Sequence, residues 1–339
     1  MLGRWPRLAI IPTMLVILNT LLAAALLITN ANSFAQSSSP SGYPNRPLRF
    51  ILPFPPGGGT DIVGRVLAQK LSEELGQPVI PDNRPGAGGN IGAEVAAKAA
   101  PDGYTIVICT VGLAVSPTLY KKLGYDATRD LTPIGLVAST PNALAVHPSM
   151  PARTVKQMVG LAKSGAGKVS FGTGGAGTLN DLIAQIFRST HHADVLIVPY
   201  KGINPATVAV LSGEVDAVVV AVSSAAPYVK SGKLRALATL APRRAPALPD
   251  VPTAVEAGYP ELEGVLWYGM LAPAGTPQSV ISRLSQAFAK IVASTDTKVR
   301  LATVGTDPMT STPEQFADFL KKETVRWGKV VRASGAVAE

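Results

Sequence analysis

Few residues in this chain carry the groups that catalysis needs, and their spacing does not assemble them. The three histidines are His147, His191 and His192, and no His–x3–His, Cys–x2–Cys or HExxH spacing is present, so no metal site is expected. No GxSxG elbow raises a serine nucleophile. Asp61 and Asp216 are candidates for an acid–base pair, the alternative for each being a structural or capping role. Cys109 is the single cysteine; it sits in the apolar run Thr105-Ile106-Val107-Ile108-Cys109-Thr110 and reads as a buried strand thiol. The side chains thus assign no catalytic residue, metal or cofactor.

Chemistry is better placed in the backbone of four glycine- or proline-rich loops. They are Pro53-Phe54-Pro55-Pro56-Gly57-Gly58-Gly59-Thr60-Asp61, Asn83-Arg84-Pro85-Gly86-Ala87-Gly88-Gly89, Gly172-Thr173-Gly174-Gly175-Ala176-Gly177-Thr178 and Pro199-Tyr200-Lys201-Gly202. Such loops bare N–H groups beside helix N-termini, where the aligned peptide dipoles favour an anion. The first lacks the GxxxxGK[ST] spacing of a phosphate-binding loop. The third matches GxGxxG, but a dinucleotide site also needs an acidic residue ending the second strand, and Asp194 starts it. A carboxylate is the better match. Lys201 could add a point charge and Tyr200 a cover, or both could be surface residues. Arg84 could bind a ligand or pin its own loop by bonding carbonyls there, and the second reading is preferred.

The elements that must position these loops follow from periodicity. A strand over Leu48–Pro53 leads into the first loop, and a helix from Thr60 or Asp61 carries Ile62, Val63, Val66, Leu67, Leu71 and Leu75 at helical spacing until Gly76 stops it. Strand Val79-Ile80, the second loop, helix Ile91–Ala100 and strand Tyr104–Cys109 continue the alternation. It restarts with strand Leu144–His147, helix Val155–Lys163, strand Lys168–Phe171, the third loop, helix Leu179–Ser189, strand Val195–Val198 and the fourth loop. A helix near Pro205–Leu211, strands Val215–Val222 and Leu234–Leu240, a proline-rich connector Arg243–Pro252, and helices Pro277–Ser294 and Pro313–Ala333 complete it. Two tandem α/β units, each with two of the loops at strand ends, predict one cleft between two lobes. Lobes that face each other across a shared cleft can close on a ligand as a hinge.

The first 35 residues read as a cleaved export signal: Arg4 and Arg7, an apolar stretch Leu8–Ile28, then Ser33-Phe34-Ala35 before Gln36. The alternative, a retained anchor, has just enough length but is interrupted by Pro12, Asn19 and Thr20. Roughly 300 residues then remain, enough for two domains, and one cysteine without a partner suits a bacterial periplasm. The net charge of +9 is scattered, with pairs only at Lys121-Lys122, Arg243-Arg244 and Lys321-Lys322, which argues against a nucleic-acid partner.

As a set, several segments resemble the Bug receptors, the solute receptors of tripartite tricarboxylate transporters also called the TctC family. They are Tyr43-Pro44-x-Arg46-Pro47, Pro56-Gly57-Gly58 with Thr60-Asp61, the second loop, Pro101-Asp102-Gly103-Tyr104-Thr105, Pro199-Tyr200-Lys201-Gly202, Pro249-Asp250-Val251-Pro252-Thr253 and Trp267-Tyr268-Gly269-Met270-Leu271-Ala272-Pro273. The resemblance implies an α/β, two-lobed periplasmic binding protein of type II-like form, with crossing strands between lobes and a ligand cleft. It implies lobe 1 at 44–140 plus 242–339 and lobe 2 at 141–241. It also implies a monomer that captures a small carboxylate, partly through ordered water, and hands it to membrane transporter subunits. The ligand-binding residues it implies are Phe54, Gly58, Gly59, Thr60 and Asp61, with Thr173, Gly174, Ala176 and Gly177 opposite and Tyr200, Lys201 and Asp216 nearby. Two other readings stay open: an exported enzyme using Asp61 or Asp216 as base, and a sensing module for a membrane signalling partner. This chain departs from the family pattern at Ile203-Asn204-Pro205 and in the small, apolar stretch Val218–Ala226, both of which flank the expected cleft.

Overall fold

A computed structural model describes residues 42–164 and 169–335; the export leader read at 1–35 lies outside the described residues, as does Lys168. Strand β1 (Leu48–Leu52) is buried at four of five positions, because helices cover both faces of its sheet. It feeds α1 (Gly59–Leu75), which buries Val63, Leu67 and Leu71 and ends at Gly76 in the left-handed conformation (φ 67°). β2 (Val79–Asn83), α2 (Asn90–Ala97) and β3 (Thr105–Cys109) follow as the alternation predicts. Cys109 is buried at the end of β3, and burial pushes its thiol pKa far up, so it is an inert core residue.

The chain then forms elements whose sequence hides them. α3 (Val111–Leu119) is VGLAVSPTL, buried nearly throughout, so it shows no amphipathic period. β4 (Leu131–Thr140) contains Pro133 and Gly135, which break a strand pattern on paper. β4 runs almost directly into β5 (Asn142–Val146), yet the two strands belong to different sheets.

The first sheet is mixed, with order β11-β4-β10-β3-β1-β2; the second has order β7-β6-β8-β5-β9. The second lobe is built from α4 (Val155–Lys163), β6 (Val169–Thr173), α5 (Leu179–His191), β7 (Val195–Pro199), α6 (Ile203–Leu211), β8 (Ala217–Ala221), α7 (Val222–Lys230) and β9 (Arg235–Thr239). The strand read over Val215–Val222 is therefore shorter than expected. β8 ends at Ala221, and the apolar residues after it start α7. No glycine marks that junction, which is why the sequence reads straight through it. The return crossing leads from β9 to β10 (Leu266–Pro273), which pairs antiparallel with β4 from Leu266↔Thr140 to Pro273↔Leu131. Two adjacent strands of one sheet thus carry the chain between the lobes.

α8 (Gln278–Ala293), α9 (Thr295–Thr303), the two-residue β11 (Asp307–Pro308) and α10 (Pro313–Ser334) close the chain. α10 packs against α3, β4 and α5. Its Glu323, 8% exposed, accepts hydrogen bonds on one oxygen from both Trp267 Nε1 and Trp327 Nε1, each at 2.9 Å. Two indole donors on one carboxylate fix the start of crossing strand β10 to the C-terminal helix.

Candidate functional site

A cavity of about 350 Å³ lies where residues of both sheets meet. Five helices begin at it: α1 through Gly58, Gly59 and Thr60, α3 through Thr110, α5 through Thr178, Leu179 and Asn180, α6 through Gly202, Ile203 and Asn204, and α7 through Ala221, Ser223 and Ser224. None of these five first turns has a side-chain cap. An α-helix leaves its first four N–H groups without an intrahelical partner; here Val222 N is taken by Pro141 O (2.9 Å) and Leu113 N by Thr110 O (3.0 Å), and no side chain caps the rest.

Side-chain hydrogen bonds hold the first and third loops. Asp61 fixes the first loop: its carboxylate accepts from Gly57 N (2.9 Å), Asn83 Nδ2 (2.8 Å) and Arg65 Nε (2.9 Å). Burial would raise its pKa, but the hydrogen bonds from Arg65, Asn83 and Gly57 outweigh that and leave it below the usual aspartate value. Asn83 also donates to Phe54 O (3.0 Å), so the second loop braces the first. In the third loop, Asn180 Oδ1 accepts from Gly174 N (2.7 Å) and Thr178 Oγ1 (2.6 Å), and Asp181 accepts from Gly177 N (3.1 Å). Burial pushes the Asp181 carboxyl up.

The second loop also reaches the other lobe. At Gly88 (φ +64°) a Cβ would come 2.9 Å from the carbonyl oxygen of Ala176, so only glycine lets these loops meet. Across the cavity Asn204 Nδ2 faces Gly57 O at 3.4 Å. The cavity floor is contributed by the crossing strands and their neighbours, including Thr140, Asn142, Leu266, Tyr268 and Thr306. Thr140 Oγ1 and Thr306 Oγ1 lie 2.8 Å apart, and Thr140 Oγ1 donates to Tyr268 Oη at 3.4 Å.

Among the described residues, no Asp, Glu, Lys, Arg or His lines the cavity. The one ionisable side chain there is Tyr268, whose pKa burial raises to about 12 against the hydrogen bonds from Thr140 and Thr60. It is therefore a neutral phenol at working pH. The arrangement offers donors to an anion, and its lining brings no general base to a substrate.

Of the residues expected at the site, Phe54, Gly58, Gly59, Thr60 and Gly174 line the cavity. Asp61, Thr173, Ala176 and Gly177 are next to lining residues in sequence but are not in the lining themselves: Thr173 is fully buried and its carbonyl accepts from Tyr200 N (2.8 Å), while Ala176 is exposed. The structure does not bring Tyr200, Lys201 or Asp216 to the lining. Tyr200 Oη donates to Glu214 Oε1 (2.8 Å) and Lys201 is exposed. Asp216 precedes β8, at the opposite end from the lining residues Val219, Val220 and Ala221, and accepts from Ser170 N (2.8 Å) and Ser170 Oγ (2.7 Å). Asp61 and Asp216 thus keep separate partners and form no acid–base pair. Arg84 pins its own loop by a different route from the one expected, through the Asp82 carboxylate (3.0 Å) in place of loop carbonyls.

Sequence reasoning missed Thr110, Asn142, Ser223, Ser224, Tyr268 and Thr306. Tyr268 sits inside a segment already noted for its resemblance to the receptors. Thr110, a threonine between a strand and an apolar run, had the form of a helix start. The other four carry no local signal, since topology alone brings them to the cavity.

Comparison with known proteins points the same way. The model of the tripartite tricarboxylate transporter family receptor matches residues 63–336. The protein BugT of Bordetella pertussis is 36% identical over 318 residues, covering 93% of this chain and 98% of that protein. The structure of the periplasmic binding protein BugD superposes with a TM-score of 0.80 at 32% identity, covering 88% of this chain and 100% of that one. Rpa4515 of R. palustris, solved with adipate, gives a TM-score of 0.80 at 32% identity over 87% of this chain and 99% of that one.

Proposed function

We propose that this chain, which belongs to the tripartite tricarboxylate transporter family of receptors, captures a small carboxylate between its two lobes and presents it to membrane transporter subunits. The observation that carries this reading is the convergence of five uncapped helix N-termini on a cavity without a charged side chain. Half-charges of the helix dipoles and rigid N–H donors suit a carboxylate, and they cost little reorganisation when it arrives. Adipate in the related Rpa4515 supports the ligand class.

In this reading Gly58, Gly59, Thr60 and Gly174 touch the ligand, Phe54 covers it, and Asp61, Thr173, Ala176 and Gly177 hold the loops. Tyr200, Lys201 and Asp216 act in the rim and scaffold. The lobes comprise 44–140 with 242–339, and 141–241. The leader is cut near Ala35, the released chain works in the periplasm as a monomer, and it needs neither cofactor nor catalysis. Calorimetry and thermal-shift measurements with a panel of mono- and dicarboxylates test it. Heat of binding and a raised melting temperature with at least one are expected; no response to any of them would refute the reading.

A further inference from the structure

The start of α7 and the end of α9 touch across the two lobes. Ser223, in the first turn of α7, donates its hydroxyl to Val304 O at 3.0 Å. The residue after Val304, Gly305, has left-handed backbone (φ +64°). A Cβ there would overlap the Ser223 side chain and come 3.1 Å from the Ser223 Cα, so glycine is what lets these backbones meet. Both partners are anchored beside the crossing strand. Gly305 N bonds Ala302 O and Thr306 N bonds Leu301 O, each at 2.9 Å, and Asp307 pairs with Ser139 of β4. On the other side, Val222 N bonds Pro141 O at 2.9 Å. Ser223 and Gly305 therefore flank the stretch Ser139–Pro141, where the chain leaves the first sheet for the second. A rotation of the lobes about that stretch moves the start of α7 against the end of α9. The bond from Asn204 Nδ2 to Gly57 O is longer, at 3.4 Å, and ties the lobes less firmly.

We infer that Ser223 and Gly305 are positioning residues whose contact is a hinge stop. It sets the angle between the lobes, and with it the width of the cavity that Ser223 and Val304 line. Gly305 itself is not in the lining, so a change there reaches the cavity only through the hinge. A methyl group at 305 has no space of its own and acts as a wedge, because packed groups shift as bodies and do not compress. The inference is independent of the carboxylate reading.

The test reads the distance between the lobes by pulsed electron paramagnetic resonance, with no ligand added. Spin labels are placed at Lys98→Cys and Ser212→Cys, exposed positions in different lobes, while the buried Cys109 stays unlabelled. Gly305→Ala is expected to shift the mean distance by at least about 2 Å. Adding Ser223→Gly should bring it back to within about 1 Å of the parent, because the overlap is removed while the left-handed strain at 305 stays. An unmoved distance in folded Gly305→Ala would overturn the inference. So would a shift that Ser223→Gly does not reverse, since backbone strain would then be its cause. Should Gly305→Ala not fold, Ser223→Ala decides, as it drops the bond to Val304 and adds no atom. A broader distance distribution is then expected, and an unchanged one refutes the stop.

Discussion

Helices α4, α9 and α10 begin under a side-chain cap, whereas α1, α3, α5, α6 and α7 begin bare. Thr154 accepts from Gln157 N, Ser294 from Thr297 N, and Thr312 forms a full capping box with Gln315. These three starts lie outside the cavity, and each satisfies its own first turn at a gain of about 1 kcal/mol. Among the described residues seven helix starts lack a side-chain cap: those of α1, α3, α5, α6 and α7 line the cavity, and those of α2 and α8 do not. A side-chain cap takes one of the first-turn N–H groups, and a bare start leaves that group for another acceptor. In the carboxylate reading proposed above, the starts at the cavity forgo the gain of a cap so that the ligand is that acceptor.

Supplying a cap at the cavity is the strongest way to break this comparison. Gly58 has extended backbone (φ −78°) and room for a Cβ, its nearest neighbour being Pro55 O at 3.5 Å. Gly58→Asp should therefore fold with equal or slightly higher thermal stability, while carboxylate affinity falls at least a hundredfold, about 2.8 kcal/mol. Retained affinity in a calorimetric titration would mean that the bare start of α1 does not serve the ligand. Asp61→Asn comes next in size, because Gly57, Arg65 and Asn83 all donate to that carboxylate. A loss of about 1–3 kcal/mol is expected in denaturant unfolding at neutral pH. Since the folded pKa of Asp61 is lowered, its contribution is complete above the unfolded value and fades as pH falls through the folded one. The gap between variant and parent should shrink accordingly in acid.

Thr312→Ala removes a cap far from the cavity. Stability should drop by about 1 kcal/mol and the affinity should not change, the reverse of the pattern at Gly58. The smallest effect is an expected constancy. With Tyr268 protonated up to about 12 and no charged side chain in the lining, the affinity for a fully ionised carboxylate should stay level from about pH 6 to 9. A steep slope in that window would reveal a titrating group at the cavity.

The bare starts were unequally legible. Gly57-Gly58-Gly59, Gly174 and Gly202 announce three of them, since strand, glycine and helix periodicity succeed one another in sequence. Thr110 and the start of α7 were hidden for opposite physical reasons. α3 is buried on nearly every face and so has no polar side to mark a period. At Val218–Ala226 a buried strand passes into a helix with apolar or small residues on both sides of the change, so composition does not alter where conformation does. Tyr200, Lys201 and Asp216, expected near the ligand, show the converse case, since none of them is in the lining. Their loops were located correctly, but only tertiary packing decides whether a side chain beside a strand end faces the cavity, a neighbouring glutamate or the far edge of the sheet. Two tandem α/β units could be read from alternation, while the antiparallel β4–β10 pairing could not, because its partners, such as Thr140 and Leu266, lie far apart along the chain.

The indoles of Trp267 and Trp327 share the Glu323 carboxylate, and the only other tryptophan in the sequence is Trp5. In a chain freed of its first 35 residues, tryptophan emission would therefore come only from the joint between a crossing strand and the C-terminal helix. Excited selectively over the tyrosines, it is a built-in optical gauge of that joint, with no dye attached.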